Sequence, residues 1–190
     1  MALHVTRKGT DMKRILKVIR DDCPESPRDW DNLGTMYCEH SRYTLGDKDA
    51  EDPRDEDGNL PKDILFLPLY LYDHSGVTMS TSPFSCPWDS GCVGIIYVTK
   101  EKVKQEYGWK VLTKARKEKI LQSLENEVTV YDQYLTGDVY GFQVVEYDKE
   151  DGYEQEVDSC WGFYGSDVTC NGMLDHLEFP LSEYEIEEVY

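Results

Sequence analysis

The side chains best suited to chemistry crowd between Tyr70 and Gly91, where Tyr72, Asp73, His74, Ser75, Ser80, Ser85, Cys86, Trp88 and Asp89 fall close together. A thiol nucleophile at Cys86, with His74 as base and Asp73 or Asp89 as orienter, would supply the parts of a small Cys/His-dependent hydrolase or transferase. That chemistry needs His74 to fold back towards Cys86. The plainer reading is that Asp73, His74, Ser75 and Gly76 make a hairpin turn, and that Cys86 beside Trp88 packs as a small hydrophobe. The plainer reading carries more weight, because parts gathered in sequence are not yet a geometry.

Other chemistry finds less support. Cys38 and His40, two apart on one strand face, would offer two ligands to zinc, but no second closely spaced pair completes the set. Six cysteines occur without a CxxC and without a compact disulfide framework, which points to reduced thiols. The acidic loops Asp47 to Asp57 and Asp148 to Asp158 do not match the spacing of a calcium-binding loop. There is no GxGxxG, GxxxxGK[ST] or HExxH, so neither a metal nor a cofactor is expected.

Charge is the larger signal. The last 66 residues, Glu125 to Tyr190, hold 18 Asp or Glu against one base, Lys149, in a chain of net charge −18. Such a field repels nucleic acid and anionic membrane and attracts basic protein surfaces. A solvated acidic face is the ordinary explanation. These acids are interleaved with aromatic residues, from Tyr131 and Phe142 to Trp161 and Tyr190, so strand alternation can bury rings and turn carboxylates outward in rows. Duplex DNA carries about one negative charge per 1.7 Å of axis. An ordered acidic face can therefore occupy the groove that a nucleic-acid enzyme keeps for phosphates.

The elements that must position these residues follow from pattern. Residues 15–20 read as a strand, Gly34 to His40 as a second, and the charged, Gly- and Pro-rich stretch 46–62 as a loop. The apolar run Ile64 to Tyr72 contains Pro68, which argues for an edge position or a bulge. Cys92 to Thr99 is a strand, and Thr99 caps a short helix, about 100–107, that stops at Gly108. Ile120, Leu121, Leu124, Val128, Tyr131 and Leu135 share one helical face, predicting a long helix over about 113–135 ended by Gly137. Strands at Val139 to Tyr147 and Val157 to Tyr164 follow, joined by an acidic turn. A short helix over Val168 to Leu177 is an option, and the C-terminal SEYEIEEVY is a strand or a tail. The expectation is an α+β fold on an antiparallel sheet, with 1–190 as a single domain whose C-terminal third, 125–190, is acidic. The longest apolar run, ILFLPLYLY, is about half of the ~20 residues a spanning helix needs, and MALHVTRKGT has no signal-peptide core. A soluble protein of the cytosol is expected.

The segments WDNLGTMYCEHSRYTLGD (Trp30 to Asp47), LPLYLYDHSG (Leu67 to Gly76), PFSCPWDSG (Pro83 to Gly91), VGIIYVTKEK (Val93 to Lys102), YDQYLTGDVYG (Tyr131 to Gly141) and DSCWGFYG (Asp158 to Gly165) resemble a family of small proteins carried by phages, plasmids and integrated elements. The similarity spans roughly residues 20 to 165. It implies a mobile-element origin and, through genetic setting, an anti-defence role such as anti-CRISPR inhibition of Cas9-type nucleases or anti-restriction. It supplies no catalytic residues.

Together these observations favour a non-enzymatic inhibitor that binds a host defence nuclease, or another basic nucleic-acid-binding protein, through a DNA-mimicking surface in the host cytosol. Direct nucleic-acid and membrane binding are not expected, and the oligomeric state is open. The partner-binding candidates are Glu146, Asp148, Glu150, Asp151, Glu154, Glu156 and Asp158, with Glu183, Glu185, Glu187 and Glu188 as a second cluster. The competing enzyme reading rests on Cys86, His74 and Asp89.

Overall fold

The computed structural model describes residues 12–148 and 152–189. Among them the chain is α+β, with two α-helices and eight strands in sheets that are mostly antiparallel. Its backbone contacts divide it into two compact units, Glu25–Thr136 and the segments that flank it.

The central unit begins at Glu25 and carries four strands and both α-helices. A four-stranded antiparallel sheet has the order β2-β5-β3-β4, formed by β2 (Thr35–Cys38), β3 (Ile64–Asp73), β4 (Val77–Ser80) and β5 (Ser90–Thr99). Helices α1 (Lys100–Tyr107) and α2 (Lys114–Thr136) complete it. The signals read from sequence are the ones that act. The Thr99 side chain accepts from the Lys102 N–H to open α1, and Gly108, at φ +63°, closes it in the left-handed conformation that glycine adopts without a Cβ clash. Ile120, Leu124, Val128 and Tyr131 of α2 pack into a core with Met36, Leu69, Leu71, Met79, Ile96 and Val98. Pro68 lies on an inner strand, yet β4 reaches only as far as Tyr70 along β3. The stretch around Pro68 is thus unpaired on that side, and a register shift follows at Leu69/Tyr70.

The flanking unit is built from chain distant in sequence. Strand β1 (Met12–Arg20) enters between β6 (Val139–Asp148) and β8 (Glu185–Val189), and β7 (Glu154–Tyr164) pairs with the far side of β6, giving the order β7-β6-β1-β8. Strand β8 runs parallel to β1, and the other pairs are antiparallel. Leu16, Val18, Phe142, Val144, Phe163 and Met173 form the core on one face.

Two expectations change. The acidic stretch read as a turn up to Glu156 is strand from Glu154 onward. The helix considered at Val168 to Leu177 is one short 3-10 turn, Met173–His176. Side chains take the amides a helix would have used, since Asp167 Oδ1 accepts from the Thr169 N–H at 2.9 Å and Asn171 Oδ1 from the Met173 N–H at 3.0 Å.

Candidate functional site

The carboxylates proposed from sequence sit mainly on the two outer strands of the flanking sheet. Glu154, Glu156 and Asp158 are exposed on β7, and Glu185, Glu187 and Glu188 are exposed on β8, preceded by exposed Glu183. They do not form one row. Glu154 and Glu156 stand opposite Tyr147 and Val145, but a register shift between Val144 and Val145 sets Asp158 opposite Val144, on the other face. On β8, Glu185 and Glu187 share a face, and Glu188 projects from the opposite one. Asp148 is buried, 3% exposed, and presents no charge outward. Glu150 and Asp151 lie outside the described residues.

Between the two acidic edges runs β1 with its cations. Lys13 Nζ meets Glu185 at 2.6 Å, and Lys17 Nζ meets Glu154 at 2.7 Å. Arg14 bonds Glu146 at 3.2 Å, lies 3.6 Å from Glu183, and stacks its guanidinium on Phe179 at 3.9 Å. The Glu154 hydrogen bond raises the Lys17 pKa against the opposing effect of desolvation, and the charges of Glu154 and Glu187 add to the rise. These pairs fix the carboxylates in position and offset part of their charge. Glu156, Asp158 and Glu188 make no ion pair among the described residues.

The Tyr70 to Gly91 constellation does converge, but in the wrong order for catalysis. Asp89 Oδ2 lies 3.3 Å from His74 Nδ1 and 3.7 Å from Cys86 Sγ. The carboxylate thus stands between imidazole and sulfur, whereas a nucleophile needs the base against it and the acid behind the base. Asp73 is engaged elsewhere, by the Arg42 guanidinium and by Tyr43 Oη at 3.2 Å. Sequence reasoning missed Arg42, Tyr43 and His40 as members of this cluster. His40 stacks on Tyr43, and with Arg42, Asp73, Trp88 and Asp89 it lines a cavity of about 270 Å³. That is small for a ligand site, and every carboxylate in it already has a partner. Cys38 is a packed thiol: burial first, then Asp47, pushes it from 9.0 up to about 12.

A polar network invisible in the sequence lies within the central unit. The Arg28 side chain is 3% exposed and bonds Asp47 at 2.6 Å, Glu127 at 3.0 Å and the Gly34 carbonyl at 2.8 Å. Asp47 also accepts from the Met36 N–H, and Glu127 accepts from the N–H groups of Leu33 and Gly34. Every charge in the network is paired and hydrogen-bonded, as burial requires. Only the place of Glu127 beside the apolar stripe of α2 hinted at it.

No protein-family model, curated protein or solved structure matches the chain. No helix among the described residues is long and apolar enough to cross a membrane.

Proposed function

We propose that the chain is a non-enzymatic inhibitor from a phage or mobile element that binds, mole for mole, the cationic nucleic-acid channel of a host defence nuclease of the Cas9 or restriction type. The observation that carries this reading is the exposure of every residue of β8 and of Glu154 to Ser159 on β7, so that both outer strands of one sheet turn carboxylates to solvent. Three strand spacings separate the two edges, about 14 Å, close to the ~12 Å width of a DNA major groove. Along one face of β8, Glu185 and Glu187 stand about 6.6 Å apart, against about 3.4 Å between charges on one strand of duplex DNA. An ordered sheet holds this pattern before binding, so little ordering cost falls due in the complex. The segment resemblance to mobile-element proteins supports the genetic setting.

The enzyme reading gains nothing from the geometry, because Asp89 separates His74 from Cys86. Salt titration tests the proposal. Displacement of labelled duplex DNA from a purified Cas9-type or restriction nuclease should weaken steeply between about 50 and 200 mM salt. Salt-independent displacement, or loss of the effect in Cys86→Ala with the acids intact, would contradict it.

A further inference from the structure

One stretch of this acidic chain reverses its sign. Between Lys100 and Lys119 stand eight lysines or arginines against three glutamates, a local charge of +5 in a chain of −18. They lie on α1, on the first turns of α2 and on the link between them. The order works against the helix. No acid occupies the first turn of α2, whose N-terminal pole is already positive, and Arg116 and Lys119, three residues apart, repel each other. The buried residues of α2 begin only at Ile120, so the core does not demand these cations.

The fold nevertheless holds them in place. Tyr107 and Trp109 stack with ring centroids 4.5 Å apart, both packed against the central core. The Arg116 guanidinium lies 4.7 Å over the Trp109 ring and donates to the Val111 carbonyl at 2.7 Å, and Lys119 Nζ lies 5.8 Å over the Tyr107 ring. Exposed Lys104, three residues before Tyr107, shares its side of α1. Rings anchored in the core thus position three cations before any ligand arrives. The nearby acids are set apart from them: Glu118 lies 3.8 Å from Lys114, and Glu106 and Asp31 line a groove with Lys102 on the other side of α1.

A planar guanidinium beside ammonium groups is a donor set suited to phosphate. Phosphates recur every ~3.4 Å along one strand of duplex DNA, whereas the carboxylates on one face of a second copy's β8 stand about 6.6 Å apart, so nucleic acid is the denser counter-charge. An anionic membrane fits less well, because Val111 is 63% exposed but Trp109 and Leu112 pack against the core, and one valine buries too little area to anchor a protein. Net charge does not forbid the contact, since exposed acids more than about 8 Å away are largely screened at physiological ionic strength. We propose that Arg116, Lys119 and Lys104 bind the phosphate backbone of nucleic acid, a site that stands independently of the acidic-surface reading.

Fluorescence anisotropy of a labelled oligonucleotide, single-stranded and as a duplex, titrated with the full chain at about 50 mM salt, tests the site. Arg116→Glu/Lys119→Glu should bind about ten-fold more weakly or worse. Lys48→Glu/Lys62→Glu, the same charge change at exposed positions elsewhere on the central unit, should stay within about two-fold. Lys104→Gln/Lys119→Gln should weaken binding and lower the salt slope by about two, and it carries the test if circular dichroism shows that the charge reversal unfolds the chain. A preference for either nucleic-acid form identifies the backbone bound. Absence of binding, equal weakening by the two charge-reversed variants, or binding to anionic phospholipid vesicles in place of oligonucleotide would overturn the proposal. So would self-association that Arg116→Glu/Lys119→Glu abolishes while no oligonucleotide binds. None of these results bears on the acidic surface, which nuclease displacement tests separately.

Discussion

The two sheets use the same side chain in opposite ways. In the central unit, Asp47, Glu127 and Asp132 turn inward and accept from backbone N–H groups of Met36, Leu33, Gly34 and Met79, so that carboxylates act as structural closures. In the flanking unit, Glu154, Glu156, Glu185, Glu187 and Glu188 stand on outer strands and face water. An acid that accepts from backbone amides becomes part of the fold, and one that makes no such bond is left to solvent or to a partner. Net charge alone does not distinguish the two.

The contrast is sharpest at the cations. Arg28→Met leaves Asp47 and Glu127 in a buried site without their counter-charge, and should lower unfolding free energy by about 3 kcal/mol or more in urea titration. Lys13→Met, which removes an exposed partner of Glu185, should cost under about 1 kcal/mol. Equal losses would erase the distinction between structural and solvated carboxylates.

Close backbone approaches separate the units in the same direction. A Cβ on Gly94 would lie 1.9 Å from the Tyr37 carbonyl oxygen, backbone that cannot move aside within the sheet, and one on Gly141 would meet the Trp161 ring at 2.1 Å. Trp161 is 45% exposed and can swing away. Gly94→Ala should therefore cost about 3 kcal/mol and Gly141→Ala about 1 kcal/mol, read from thermal or urea unfolding.

Edge closure is next in size. Asp132→Ala strips acceptors from the Met79 N–H and the Thr78 hydroxyl and should cost about 1–3 kcal/mol. Glu188→Ala, an exposed position, should stay within about 0.5 kcal/mol. A further effect is confined to alkaline pH. The Cys38 thiol is held protonated up to about 12 in the fold, so its contribution is fully present below 9.0 and is lost as pH rises from there towards 12. Stability measured across that window should fall, and Cys38→Ala should flatten the decline.

Much of the central unit was legible because its signals are local. The Thr99 and Gly108 caps bound α1, the 3.6-residue stripe from Ile120 to Tyr131 defined α2, and Gly137, at φ +70°, follows its end. The flanking unit was less so, since β1 finds β6 and β8 across more than a hundred residues and no short-range pattern announces that pairing. The acids were visible as composition, but their placement was not. The shift that sends Asp158 to the other face and the β1 cations that pair with Glu146, Glu154 and Glu185 are both set by register. Arg28 was hidden for a different reason: its partners, Asp47 and Glu127, each look like ordinary surface acids in sequence.

Displacement of duplex DNA from a purified defence nuclease, compared between the natural chain and Glu183→Gln/Glu185→Gln/Glu187→Gln/Glu188→Gln, probes the central claim most directly. The account predicts that the neutralised chain folds with unchanged stability to within about 1 kcal/mol and displaces DNA at least ten-fold less well. Equal displacement by the two chains would contradict it.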